Sequence, residues 1–234
     1  MSAALTLRRW VRQREHPVAD LLYRMVVGLR QTSVPTIPVL HRTLYNLRAV
    51  TLGILRGAHR IVWCTPLFQS RLMRPAPGLF LYGGIPLVIG TVEIEIGSGC
   101  RVSGQTTITG RTAPTALPRL TVGKNVDIGW QTTIAVGRTV TIGDNVRIAG
   151  RAFLAGYPGH PLDAKARAQG LPDSDDQIGD IILEDDVWLA TGVTVTAGVR
   201  IGRGTIVAAG SVVTHDLPPQ VLAGGIPARP IRTL

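Results

Sequence analysis

A chain of 234 residues, 45% hydrophobic but only 5% aromatic, has room for one or two domains and a core made from Val, Ile and Leu. Cys64 and Cys100 are too few and too scattered for a disulfide framework or a zinc site, so a reducing compartment is the default, and no apolar run is long enough to span a bilayer. The formal charge of +10 sits in the first third: residues 1–80 hold twelve arginines against Glu15 and Asp20, whereas residues 81–234 balance thirteen bases with thirteen acids, and without a reader motif the arginines do not argue for nucleic acid.

The N-terminus lacks an uninterrupted apolar stretch of the secretory type. Residues 1–80 instead show helical periodicity. A first helix is expected through roughly Trp10 to Arg30, with Trp10, Val11, Val18, Leu21, Leu22, Met25 and Leu29 on its apolar side. A longer one is expected from Pro38 to Trp63, where Leu40, Leu44, Leu47, Val50, Ile54, Leu55, Ala58, Ile61 and Val62 share one half of the helical wheel. His41, Arg42, Arg48, Arg56, His59 and Arg60 take the other half, and its charged residues are exclusively basic. Two roles compete for this segment: packing within the protein or its oligomer, and lying on an anionic membrane surface, where each arginine contributes about 1 kcal/mol. Pro75 and Pro77 end any helix, and Gly83, Gly84 and Pro86 lead into a first irregular coil.

From there the period changes to six. Leu183, Leu189, Val195, Ile201, Val207 and Val213 recur in register, and Val187, Val193, Val199, Thr205 and Ser211 follow the first five at four places on. Upstream the ladder reads Ile96, Val102, Ile108, then Val122, Ile128, Ile134, then Ile142, Ile148, Leu154. A short fixed period of this kind marks a parallel β-helix, three hexads to a coil, with each aliphatic residue pointing inward onto its equivalent one coil away, about 4.8 Å distant. Glycines are expected at turns that need positive φ. Between Thr112 and Thr121 two prolines break the period, which predicts a surface loop.

A larger break runs from Ala155 to Ile181. It leaves in register after Leu154 and returns in register at Leu183, so it is an excursion from a continuous coil. His160 lies near its root between Gly159 and Pro161, and Asp173, Asp175 and Asp176 read as a solvated polar run.

The run VTIGDNVRIAGRAFLAGYPGHPLDAKARAQG, with DVW, AAGSVVT and GIPAR further on, resembles the sugar O-acetyltransferases of the hexapeptide-repeat acyltransferase superfamily, the galactoside and maltose type. The resemblance is close over about residues 122–234 and loose over 81–121. Residues 1–80 look more like the N-terminal extensions of acyltransferases in surface-polysaccharide and lipopolysaccharide assembly. The resemblance implies an all-β left-handed parallel β-helix with an N-terminal α-helical segment, divided as a basic helical segment 1–80, a β-helix 81–217 with the excursion 155–181, and a tail 218–234 contacting the acyl donor. It also implies a homotrimer with acetyl-CoA between adjacent prisms and no metal. His160 matches the family's catalytic histidine, a general base that takes the proton of an attacking sugar hydroxyl.

The same resemblance places Trp188 beside the acyl donor, where its position after inward Val187 turns it outward, and Thr191 near the thioester, where a developing oxyanion needs a donor. Ala209 and Thr214 match positions on the pantetheine arm, and Arg229 and Arg232 match phosphate-binding residues. There are departures from the pattern. His215 stands where lysine is usual, AVGRT lacks an acidic acceptor-binding pair, and Gln131 stands near an acceptor-side asparagine. Free galactosides and maltose are therefore not the expected acceptors; a sugar of a surface polysaccharide or a lipid-linked glycan precursor is, with the protein peripheral on the inner face of the cytoplasmic membrane. A β-helical scaffold without catalysis, and an acyltransferase with a longer acyl donor or a non-sugar acceptor, remain alternatives. The related zinc enzymes of this fold need three coil histidines, and only His160 and His215 follow residue 80.

Overall fold

The computed structural model describes residues 3–112 and 116–234. It divides into two compact units, Met1–Gly53 and Ile54–Leu234. The second therefore takes in residues 54–79, which the sequence groups with the helices. Their membership has a packing cause: Cys64, Phe68, Ala76 and Leu79 are buried in one cluster with the coil residues that follow.

In the first unit, α1 (Ala3–Gln13) and α2 (Pro17–Gln31) replace the single helix expected through residues 10–30. Proline is the reason. Pro17 cannot supply a helical N–H and drives His16 into extended backbone, so His16 caps α2 and Arg14 turns back at φ 57°. Arg14 and Arg24 both pair with Asp20. Helix α3 (Pro38–His59) continues through a π-turn, Arg60–Cys64, into α4 (Thr65–Gln69). Leu40, Leu44, Leu47, Val50, Ile54 and Leu55 of α3 are all 48–66% exposed. Arg60 departs from the solvated basic face assigned to it, since its guanidinium lies 4.4 Å from the centre of the Phe80 ring. Among the described residues no helix is long and apolar enough to cross a membrane.

The second unit is a three-sided parallel β-helix. Sheet A has eight strands, sheet B six and sheet C five, and apart from the ends each strand pairs with the one three strands further along the chain. The predicted ladder is the core. Leu81, Val102, Ile128, Ile148, Leu189 and Val207 align in sheet A, Val88, Ile108, Ile134, Leu154, Val195 and Val213 in sheet B, and Ile96, Val122, Ile142, Leu183 and Ile201 in sheet C. The smaller companions Val187, Val193, Val199, Thr205 and Ser211 are buried at the corners. The loop predicted between Thr112 and Thr121 ends at Pro118, because strand Arg119–Val122 buries Leu120; residues 113–115 lie outside the described residues.

Glycine serves the corners in two ways, only one of which concerns φ. At the corner from sheet C to sheet A the left-handed place is taken by Asn125, Asn145 and Asp186 as well as Gly99 and Gly204. These short polar side chains tolerate that conformation and join in a ladder, Asn125 to Asn145 at 2.9 Å and Asn145 to Asp186 at 3.0 Å. Gly97, Gly123 and Gly143 are needed instead for close approach between coils. A Cβ on Gly143 would sit 2.6 Å from the Asp185 backbone nitrogen. Gly143→Ala should therefore cost about 1–3 kcal/mol by overpacking, read as a fall in the chemical-denaturation midpoint with the same slope.

The last residues form a structured ribbon. Strand Val221–Gly225 extends sheet A beside Ile206–Val207, and Ala228–Thr233 returns antiparallel to it.

Candidate active site

The outward face of sheet A carries one row of aligned residues: Phe80, Arg101, Asp127, Arg147, Trp188, Ile206, Leu222 and Arg232. Successive places in such a row lie about 4.8 Å apart. Trp188 and Arg232 thus share a line four strands long. Trp188 is 48% exposed, as its place after inward Val187 implies.

An open groove of about 320 Å³ runs along this face between Tyr82, Asp127, Trp130, Arg147, Trp188 and Thr191. Trp130 lies flat over Gly150, where a Cβ would meet the indole at 2.5 Å. Burial, with the nearby Asp127 carboxylate, pushes the Tyr82 phenol above its ordinary range. Trp130 and Tyr82 were not singled out in the sequence, although Trp130, like Trp188, is a large aromatic at a position that the hexad turns outward.

Thr191 and Ala209 occupy equivalent places one coil apart at the corner from sheet A to sheet B, joined by the Gly210 N–H donating to the Thr191 carbonyl at 2.9 Å. Gln131 lies on the same corner further down, exposed and left-handed at φ 57°. Thr214, its hydroxyl 2.9 Å from His215 Nδ1, stands at the next corner, from sheet B to sheet C. Arg229 is exposed on the terminal ribbon.

His160 belongs to that second corner. Strand Phe153–Ala155 of sheet B leads into the excursion and Ile181–Leu183 of sheet C receives it, with helix α5 (Ala164–Ala168) between them. The imidazole is exposed and makes no hydrogen bond among the described residues. The backbone on either side of it is tightly held. Gly159, at φ 82°, donates its N–H to Asp173 Oδ2 at 3.2 Å, and Gln177 Nε2 donates to the His160 carbonyl at 3.4 Å. Tyr157 bonds to the Thr109 hydroxyl at 2.6 Å.

Here one expectation fails. Asp173 is buried and paired with Arg111, because the return leg of the excursion folds down over the coil that carries Arg111. Asp175 also accepts from Arg111, at 2.6 Å. A signal for Arg111 was present in the sequence: it takes the corner place that Gly137 and Gly198 hold in other coils, where a long charged side chain needs a partner. At the far root, Arg138 grips Asp180 with two nitrogens; burial alone would raise the Asp180 carboxyl, yet this pairing holds it below the usual range.

The expected site residues therefore fall into two groups within one prism. Trp188, Thr191, Ala209 and Gln131 gather on sheet A and its corner with sheet B, with Arg229 and Arg232 on the ribbon that ends sheet A, and His160 and Thr214 lie at the corner of B and C.

Comparison with known proteins agrees with this architecture. Residues 180–215 match the family model described as bacterial transferase hexapeptide (six repeats), so this stretch is a run of hexapeptide-transferase repeats. Over 76 residues, 32% of the chain, it is 42% identical to a Schizosaccharomyces pombe protein named a putative acetyltransferase and 39% identical to galactoside O-acetyltransferase of Escherichia coli. Those stretches amount to 34% and 36% of the two relatives, so the chain spans about a third of the length of the curated proteins it matches. The fold is also that of AntD, an N-acyltransferase from Bacillus cereus solved with dTDP and 3-hydroxybutyryl-CoA, at a TM-score of 0.57 and 17% identity over 72% of this chain and 86% of that one.

Proposed function

We propose that the protein is an O-acetyltransferase that moves the acetyl group of acetyl-CoA to a hydroxyl of a sugar in a surface polysaccharide or a lipid-linked glycan precursor. The observation that carries this reading is His160, an exposed imidazole without a hydrogen bond among the described residues, on firmly held backbone in a chain with hexapeptide-transferase repeats. A sugar hydroxyl is a weak nucleophile at neutral pH. His160 takes its proton as the oxygen bonds to the thioester carbon; the tetrahedral intermediate then expels the coenzyme A thiolate, which recovers the proton. Thr191 offers its N–H or hydroxyl to the oxyanion, Trp188 covers the acyl donor, and Ala209 and Thr214 line the pantetheine arm. Arg229 and Arg232 meet the phosphates with guanidinium forks, and Gln131 faces the acceptor.

The coil is left-handed on this reading, in keeping with the hexapeptide repeats and the likeness to AntD. The two groups of residues lie at different corners of one prism, so a site that uses both is completed between copies, and a homotrimer provides three such sites. The exposed apolar face of α3, flanked by Arg42, Arg48 and Arg56, seats the protein on the anionic inner face of the cytoplasmic membrane, where a lipid-linked acceptor is concentrated.

Isothermal calorimetry of the full chain with coenzyme A should show saturable binding, one site per chain. Replacing Trp188 by Ala should weaken it about tenfold, a loss of roughly 1.4 kcal/mol that suits one aromatic contact. No heat with the parent protein would favour a β-helical scaffold over an enzyme.

A further inference from the structure

We propose that Arg111 and Asp173 form a latch that positions the imidazole of His160, an inference that rests on reading His160 as the base. Both side chains are almost completely buried, at 3% and 4% exposure. Arg111 Nε donates to Asp173 Oδ1 at 2.9 Å, one terminal nitrogen donates to the Asp173 carbonyl at 2.9 Å, and the other donates to Asp175 Oδ1 at 2.6 Å. Three nitrogens of one guanidinium thus hold the return leg of the excursion.

The second carboxylate oxygen of Asp173 does the remaining work. Oδ2 accepts the N–H of Gly159, the residue that precedes His160, so an unbroken line of hydrogen bonds runs from Arg111 to the Pro158–Gly159 peptide, one residue before the base. The outgoing leg is tied to the same coil. Tyr157 bonds to the Thr109 hydroxyl and donates to the Gly110 carbonyl at 3.3 Å. Three consecutive residues, Thr109 to Arg111, therefore fix the chain on both sides of Pro158.

Only Gly159 in its left-handed conformation, φ 82°, turns the chain there without strain. A buried ion pair is a weak source of net stability compared with apolar packing, whereas removing one partner leaves an uncompensated charge. What it supplies is direction, because the planar fork of arginine satisfies three acceptors in a single geometry. Neither residue touches the reacting atoms. Both act through the backbone of Gly159, and they are positioning residues.

The test uses the full chain with Asp173→Asn, Arg111→Met and Arg111→Lys. The readouts are thiol release from acetyl-CoA with water as acceptor, and the NMR signal of the His160 imidazole Cε1–H. With the base displaced by about 1 Å, kcat should fall about 100-fold in Asp173→Asn and Arg111→Met while KM for acetyl-CoA stays within about twofold. The His160 signal should move toward that of a free histidine in both. Arg111→Lys, which keeps the charge and loses the fork, should fall between them and the parent.

An unchanged kcat with an unchanged His160 signal overturns the proposal, and so does a parallel loss of kcat and acetyl-CoA affinity, which marks a purely structural role. If Arg111→Met does not fold, Asp173→Asn decides, since it keeps the shape of the carboxylate but leaves one acceptor oxygen where Arg111 and Gly159 now use two. The two readings fail separately. His160→Ala with parental turnover would remove the base assignment, yet the NMR signal in Asp173→Asn would still report whether the latch holds the loop.

Discussion

His160→Ala should lower the proposed acetyl transfer by about 10²- to 10⁴-fold, the range that a positioned general base contributes. The substitution removes the only group proposed to accept the hydroxyl proton, so the attacking oxygen must lose it to water. Coenzyme A affinity should barely change, since the donor contacts are assigned to Trp188, Thr191, Ala209, Thr214 and the two terminal arginines, and none of them to the imidazole. Stability should also hold: the imidazole is exposed, and the bond at this residue is made by its carbonyl, which alanine keeps. Turnover within a few fold of the parent would remove His160 from the mechanism. Single-turnover measurement with saturating acetyl-CoA separates the chemical step from product release and gives the cleanest comparison.

On the membrane reading proposed above, replacing Arg42, Arg48 and Arg56 of α3 together by alanine should weaken binding to anionic vesicles by about 100-fold, from about 1 kcal/mol for each arginine near the surface. All three are exposed, and the apolar residues between them are exposed as well, so the helix presents area to bury and charge to steer it. In the first unit Arg8, Arg12 and Arg30 border a groove between α1 and α2, floored by Leu7, Val11, Tyr23, Val26 and Val27, which repeats the combination. Flotation with phosphatidylglycerol-containing liposomes at moderate salt is the measurement. If the parent protein stays at the bottom of the gradient, the membrane reading falls and oligomer packing is left to cover these faces.

The β-helix was legible because its core repeats one demand, an aliphatic residue facing inward at every sixth place. Leu154 and Leu183 even marked where the excursion leaves and rejoins. The loop interior was less legible. Asp173 stands in a run of acids that looks solvated, and its partner Arg111 lies 62 residues earlier, so no local pattern joins them. The break between α1 and α2 was readable in principle, since Pro17 forbids a continuous helix, but the apolar stripe on both sides of it concealed the interruption. The close-approach glycines escaped for a different reason: Gly143 meets a backbone from another coil, a contact that exists only after stacking.

The terminal ribbon has a consequence for solubility. A stack of parallel coils ends in unpaired strand edges, and each is a template for another copy. Here Ala228–Thr233 runs antiparallel against Val221–Gly225, so the register that one more coil would need is already occupied. At the opposite end the Met73 N–H bonds to the Ile94 carbonyl, and Phe68 closes the apolar interior. The ribbon thus closes the sheet A edge at one end, and the chain before the first strand covers part of the other, in both cases with chain that does not itself repeat.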